Sequence, residues 1–307
     1  MRADTHTAHD AHHETPGILY AGLAYFFWGV TPIYWRMLGS VPPFVLTTHR
    51  VLWCALFMAG LTLWRGRTSH ILGIFRNPGL IGTLALTSVL ITLNWSLFIY
   101  SVATNQLVES SLGYYLTPLL SMALGVLLFG ERMSRVRLVG VALAAIAVLA
   151  QAVALGHFPW LGLSLALSFG FYGYFRKKAQ VDSADGLLIE TVLLFPFALG
   201  LILWWGRHEA QAFPYPDLRT NLMLVGGGPL TAIPLSLFAA GARRIRLTTL
   251  GFLQYLSPSI TLVVATLGFH EHFGRVDAIS FAFVWAALLV VALEGRFRPV
   301  VAPQEGG

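Results

Sequence analysis

The chain has 307 residues, of which 56% are hydrophobic and only 11% charged, with a formal net charge of +6. A water-soluble domain carries about a quarter charged residues. A protein with water on all sides is therefore excluded, and the chain must expect lipid as its main solvent.

Taken in order, residues 1–16 form a polar tail with four histidines, His6, His9, His12 and His13. A short segment without fixed geometry makes a poor metal site, so the tail is read as solvated chain. Thr15-Pro16 resembles a helix cap followed by proline at the first helical position. Ten long apolar blocks follow, at 17–35, 44–64, 80–103, 107–129, 136–155, 158–175, 186–206, 221–241, 247–269 and 276–294, and a tail closes the chain at 295–307. Each block is close to the ~20 residues that cross a bilayer as a helix. Barrel strands are about ten residues of alternating character, whereas these blocks are longer and uniformly apolar. Helices satisfy their own backbone groups in lipid, so an all-α integral membrane protein with ten spans is expected. The first block is too long, and lacks a small-x-small cleavage site, to be a removable signal.

Basic residues set the orientation. Fifteen of the 20 lysines and arginines lie at residues 2, 65–76, 132–137, 176–178, 243–246 and 296–298, the loops that share a side with the amino terminus. The opposite loops hold four, Arg36, Arg207, Arg219 and Arg275. Both termini are thus expected in the cytoplasm. The positive charge is a topology signal, and no nucleic-acid partner is needed to explain it.

The chain repeats at a spacing near 140. "LTPLLSMALGVLLFGERMSRV" (116–136) matches "LSPSITLVVATLGFHEHFGRV" (256–276), and "FFWG" (26–29) lies over "LSFG" (167–170). The chain divides into one five-helix repeat at 17–155 and a second at 158–294. Five is odd, so the second copy enters the membrane inverted, an arrangement that transporters use for alternating access.

Polar residues inside the spans are the candidate site. A charge at a helix centre costs about 2.5–3.5 kcal/mol on insertion scales. Ser110, Tyr114, Thr117 and Ser121 share one face of span four. Gln254, Ser257 and Thr261 align with 114, 117 and 121 in span nine. Span three adds Thr87, Asn94 and Ser101, and span six Ser164, Ser168 and Tyr172. These stripes line a cavity or act as interhelical glue. Pro118 and Pro258 are candidate hinges or packing kinks. Arg50 lies about 9 Å from the outer end of span two at 1.5 Å per residue, deep for snorkelling, and is read as facing a wet cavity that attracts an anionic or strongly dipolar group. Glu190, the lone carboxylate of span seven, is a candidate proton carrier, since a desolvated carboxylate holds its proton more tightly. A structural ion pair is the rival reading for both. His49 is a proton relay or a packed histidine. Glu131 and Glu271 are expected to fix turns with neighbouring arginines. Cys54, the single cysteine, excludes internal disulfides and cysteine metal clusters. Small-residue rows at Gly140, Ala144 and Ala147, and at Ala278, Ala282 and Ala286, read as close-packing faces, within the chain or in a homodimer.

"AYFFWGVTPIYWRML", "THRVLW", "LNWSLFIYSVATNQLVESSLGYYLTPLLSMALGVLLFGERMSR", "ALSFGFYGYFRKKA" and "LGFLQYLSPSI" together resemble the RarD-type proteins of the EamA family, in the drug/metabolite transporter superfamily. The resemblance covers about 17–294. It implies a ten-helix inner-membrane permease, and a chloramphenicol-type drug permease among the activities attached to such proteins. No phosphate-binding loop, zinc-protease motif or nucleophile elbow occurs, so a pump or an enzyme is not expected, and no cofactor or metal. The reading is a secondary carrier for a small amphipathic metabolite or drug, with the bilayer as its surroundings and protons as candidate coupling ion. A channel, or a receptor or scaffold without turnover, is the alternative. Reporter fusions at residues 1 and 307 should both report the cytoplasm; a periplasmic signal from either would refute the topology.

Overall fold

Apolar blocks of this length have one economical way to bond their amides in hydrocarbon, and the chain takes it. The computed structural model describes residues 5–129, 134–155, 158–208, 213–245, 250 and 253–297, and among them are eleven α-helices and no strand. They are α1 (Thr5–Arg36), α2 (Pro43–Trp64), α3 (Thr68–Phe75), α4 (Pro78–Ala103), α5 (Leu107–Phe129), α6 (Arg135–Leu155), α7 (Trp160–Ala179), α8 (Ser183–His208), α9 (Leu218–Ala242), α10 (Leu256–Val263) and α11 (Arg275–Phe297). A π-helical turn, Val264–Gly268, extends α10. Five segments are long and apolar enough to cross a membrane: Thr15–Arg36 of α1, α2, α4, Ser183–Arg207 of α8, and α9. Leu138–Gln151 and Leu256–Gly268 are shorter apolar helices.

Local chemistry starts several of these helices. Asn77 accepts the Leu80 amide ahead of α4, with Pro78 at the first helical position. Asp217 accepts the amides of Arg219 and Thr220 ahead of α9, and the Thr220 hydroxyl together with those amides holds its carboxyl below the usual range. Two caps come from distant segments. Glu109 of α5 accepts the Leu161 and Gly162 amides of α7, at 3.0 and 3.1 Å. Glu271, in the loop after the π turn, accepts the Val108 amide of α5 at 3.0 Å. Carboxylates at helix starts complement the dipole, and here each one also ties the two halves together. Burial pushes the Glu271 carboxyl above the ordinary carboxylate range.

The most extensive helix pairings map onto themselves when α1, α2, α4, α5 and α6 are exchanged for α7 to α11. Thus α1 packs on α9 as α4 does on α7, and α5 packs on α7 as α1 does on α10. The pairs α2–α8, α5–α10 and α6–α11 are their own counterparts. At one end of the bundle Arg36, at the close of α1, donates to the Val102 carbonyl at 2.9 Å. At the other end Arg67 and His70 reach Asp185 at 2.7 and 3.2 Å, and Arg243 reaches Asp182 at 3.1 Å. Helix α7 closes at this second end, where Arg176 donates to the Asp182 carbonyl. Counterpart helices therefore run in opposite directions.

Close approach depends on particular glycines. A Cβ on Gly113 of α5 would collide with the Gly162 backbone of α7, and one on Gly228 of α9 would sit 2.5 Å from the Trp53 backbone of α2.

The structure differs from the sequence reading in four places. Helix α1 begins at Thr5, within the expected tail, so Pro16 lies inside it instead of at its first turn; the histidine side chains of the tail lie outside the described residues. A short helix, α3, occupies the loop expected after span two, held by buried Ile71. The row Ala278, Ala282 and Ala286 faces outward, so it is not a packing face within the chain, the first of its two readings. The packing face of α11 is instead Ser280, Phe281, Val284 and Ala287, against buried Gly140, Ala144 and Ala147 of α6; the bulkier side chains pack because the α6 face is small. Finally, Pro258 lies in the first turn of α10, whereas Pro118 is interior to α5. Glu131 and residues 298–307 lie outside the described residues.

Gly113→Ala and Gly228→Ala should each destabilise the bundle by about 1–3 kcal/mol, the usual cost of overpacking, read as thermal unfolding in detergent. Gly60→Ala, whose added Cβ would meet nothing within 4 Å, should leave the midpoint unchanged.

Candidate functional site

Helix α4 is the polar spine of the interior. Thr87 and Asn94, seven residues apart, share one face. Thr87 Oγ1 donates to Glu190 Oε1 of α8 at 2.7 Å. Asn94 Nδ2 donates to the Leu165 carbonyl and Ser168 Oγ of α7, at 3.0 and 3.1 Å, and its Oδ1 accepts from Tyr114 of α5 at 3.0 Å. Asn94 thus links three helices and uses both ends of its amide. Ser101, the third residue of the stripe, bonds within its own helix to the Phe98 carbonyl.

The neighbouring residue Trp95 meets Arg50. The guanidinium carbon lies 4.2 Å from the Trp95 ring centroid and 5.3 Å from that of Trp35, on α1. Arg50 is 8% exposed, and its Nε donates to Thr231 Oγ1 of α9 at 2.9 Å. Thr231 passes its own proton to the Gly227 carbonyl at 2.9 Å, leaving its lone pairs for Arg50. The placement follows from the run Gly226, Gly227 and Gly228, which lets Tyr34, Trp35 and the α2 backbone come against α9. Thr231 then stands one turn further along. Guanidinium–indole stacking of this kind is worth about 0.5–2 kcal/mol.

Glu190 is fully buried and occupied. Besides Thr87, its Oε2 accepts from Tyr172 at 3.3 Å, and Arg176 Nε lies 3.6 Å from Oε1. Arg176 also donates to the Val181 and Asp182 carbonyls. Its guanidinium fills the space over Gly186, where a Cβ would stand. No ion pair joins Glu190 to Arg50. The two charges belong to one interior, since Cys54 lies within electrostatic reach of both.

The other candidates are placed as follows. His49 is 1% exposed; its Nδ1 accepts from Trp53 at 3.2 Å and its ring packs 5.1 Å from Phe213. Thr117 bonds to the Gly113 carbonyl of its own helix. Thr261 is buried and donates to the Gly29 carbonyl of α1 at 3.3 Å. Ser257, half-buried, lies beside Gly29 in the same α1–α10 contact. Gln254 sits in the turn before α10. The Ser121 side chain lies outside the described residues. Tyr114, Asn94, Arg50 and Glu190 are brought into the interior between the halves, whereas Ser257 and Thr261 join helices. An open groove of about 640 Å³, lined by Tyr34, Met37, Leu218, Arg219, Leu222 and Met223, is a separate feature between α1 and α9.

Sequence reasoning missed Arg176, Thr231, Trp35 and Trp95 as neighbours of the two charges. Arg176 was counted with the loop lysines that follow it. Thr231 stands alone in a glycine- and proline-rich span, without a stripe to announce it. The two tryptophans read as ordinary apolar bulk.

The chain is similar to known proteins. A family model described as the EamA-like transporter family matches residues 15–151 and again 159–293. An uncharacterized transporter of Vibrio cholerae serotype O1 is 40% identical over 91% of this chain and 92% of its own. Protein RarD of Escherichia coli (strain K12) is 37% identical over 94% of this chain and 97% of its own. The chloramphenicol-sensitive protein RarD of Pseudomonas aeruginosa is 28% identical, over 89% and 92%. A solved crystal structure with 21% identity matches with a TM-score of 0.58 over 91% of this chain and 98% of its own, and speaks for the fold alone.

The Glu190–Arg176 pair should behave as a unit. Arg176→Leu strands a buried carboxylate and should cost about 3–5 kcal/mol, the usual penalty for removing one partner of a buried pair. Adding Glu190→Leu should restore most of that loss, as measured by thermal unfolding of the two variants in nanodiscs.

Proposed function

Because the chain belongs to the EamA-like transporter family, we propose that it is a secondary carrier that moves a small amphipathic metabolite or drug across the inner membrane by alternating access, with both termini cytoplasmic. It is a multi-pass membrane protein of the transporter class; the substrate, the mechanism and the orientation are this proposal.

One observation carries the reading. Arg50 is a fixed positive charge, almost fully buried where α1, α2, α4 and α9 meet, and among the described residues its side-chain hydrogen bonding is confined to one threonine. Such a charge is costly in hydrocarbon, and a purely structural arginine recovers that cost through full pairing. Arg50 does not, which favours a role met by a transient partner. The exchange-symmetric helix pairing supports alternating access. Two packings related by the exchange of halves are close in energy, and each opens toward one side. Tyr114 and Asn94 complete the polar lining on this reading.

Glu190 is the candidate coupling residue. Its carboxylate is held by Thr87, Tyr172 and Arg176. Release of Arg176 during the transition would leave it to take up a proton, because an unpaired buried carboxylate favours its neutral form. The name of the Pseudomonas aeruginosa relative makes chloramphenicol one of the first compounds to try.

The test is flux into liposomes holding the purified protein, with a metabolite panel and chloramphenicol, with and without a proton gradient. Saturation and counterflow mark a carrier, flux without exchange marks a channel, and no flux with any compound refutes transport. Arg50→Ala should lower flux at least about tenfold, the worth of one charge-assisted hydrogen bond of ~1.5–3 kcal/mol. Glu190→Gln should remove the response to the proton gradient while leaving counterflow, and an undiminished response would take Glu190 out of coupling.

A further inference from the structure

Resting on the carrier reading, we infer that the transported molecule is an organic monoanion, a carboxylate with a flat apolar body, whose carboxylate is gripped by the Nη fork of Arg50.

Three independent observations converge on this. The first is the inventory of donors. A guanidinium has five N–H groups. Arg50 uses Nε on Thr231, and among the described residues neither Nη atom meets an acceptor. The residue as a whole is nonetheless more than nine-tenths buried. A planar fork of this kind matches a carboxylate with two parallel hydrogen bonds, a geometry that lysine does not offer.

The second is the neighbouring indole. Trp35, whose ring lies beside the Arg50 guanidinium, is 3% exposed, and its Nε1–H has no acceptor. A buried donor without a partner is costly in a native protein and calls for an explanation. Two adjacent groups, on α1 and α2, thus carry spare donors and no acceptor. A ligand that brings acceptor oxygens supplies what both lack, and one that brings only donors supplies neither.

The third is charge. The buried carboxylate of the interior, Glu190, is committed to Arg176, Thr87 and Tyr172. Asp185 is committed to Arg67 and His70 at the end of the bundle. Among the described residues no carboxylate lies within ion-pair distance of Arg50, so its charge has no fixed counter-ion. Low local dielectric makes an uncompensated charge strongly selective. An anion is drawn in, and a cation of the same size and shape is refused. The body of the ligand follows from the walls. Trp95 and Trp35 present rings beside the guanidinium, and Tyr114 stands within electrostatic reach of it. Flat apolar groups stack on such surfaces.

The experiment uses the full-length protein in nanodiscs, with radiolabelled benzoate as the probe and benzamide, benzylamine and acetate as competitors. Benzoate shares its ring with benzamide and benzylamine and differs in charge; acetate shares the carboxylate and lacks the ring. Saturable benzoate binding is expected, with at least tenfold weaker competition from each of the other three. Arg50→Lys keeps the charge and loses the fork, and should weaken benzoate binding at least tenfold while the unfolding midpoint stays near wild type. Arg50→Ala should abolish it. Absence of benzoate binding, equal competition by benzylamine, or full binding by Arg50→Lys each overturns the inference. The carrier reading is judged separately by flux. A protein that transports benzylamine and ignores benzoate remains a carrier with a different substrate class, whereas one that shows no flux with any compound is not a carrier even if benzoate binds.

Discussion

Hydrocarbon offers a polar group no partner, and that constraint shapes almost every polar contact in this chain. Most intramembrane hydroxyls meet it locally. Thr47, Thr48, Thr117 and Thr191 each donate to a carbonyl one turn back in their own helix. Asn94 meets it across helices, joining α4 to α5 and α7. Glu190 meets it with two hydroxyls and a guanidinium. Against that background Arg50 carries a fixed charge on one side-chain acceptor and two ring faces, next to the unpartnered Trp35 Nε1. A group left so incompletely satisfied in such a solvent is the feature from which a function is most reasonably argued.

Its surroundings show how the fold retains it. Glycines 226–228 remove side chains where α9 meets α1 and α2, so that backbones and indoles close around the guanidinium. Thr231 can then reach Nε, and Trp95 arrives from α4 on the opposite side. Four helices from both halves thus meet at one residue.

The pseudo-symmetry of the pairing stops at the charges. The counterpart of Arg50 in the second half, one residue past Glu190, is Thr191, whose hydroxyl is spent inside α8. The counterpart of Glu190 is His49, which accepts from Trp53. The two halves therefore supply similar packing and different chemistry. The ends of the bundle differ as well. One carries carboxylates capping helix starts, Glu109 and Glu271, and the other carries the Arg67–Asp185 and Arg243–Asp182 ion pairs, with His70 Nε2 3.2 Å from Asp185.

The sequence by itself determined the lipid solvent and the helical class, because both follow from local composition and spacing. It also singled out Arg50, Asn94 and Glu190, since polar residues in apolar blocks are rare enough to stand out. It did not determine partners. Arg176 looked like part of a loop, Thr231 like an isolated hydroxyl, and Trp35 and Trp95 like bulk. The alignment of Ser257 and Thr261 with Thr117 and Ser121 suggested a second cavity wall, yet the tertiary structure sets Ser257 and Thr261 against Gly29 of α1. The small-residue row of α11 turned outward for a related reason: packing is decided by the complementarity of two faces, and a single helix carries only one of them. Which charge is neutralised and which is left open depends on distances between segments more than a hundred residues apart, and only the folded chain fixes those distances.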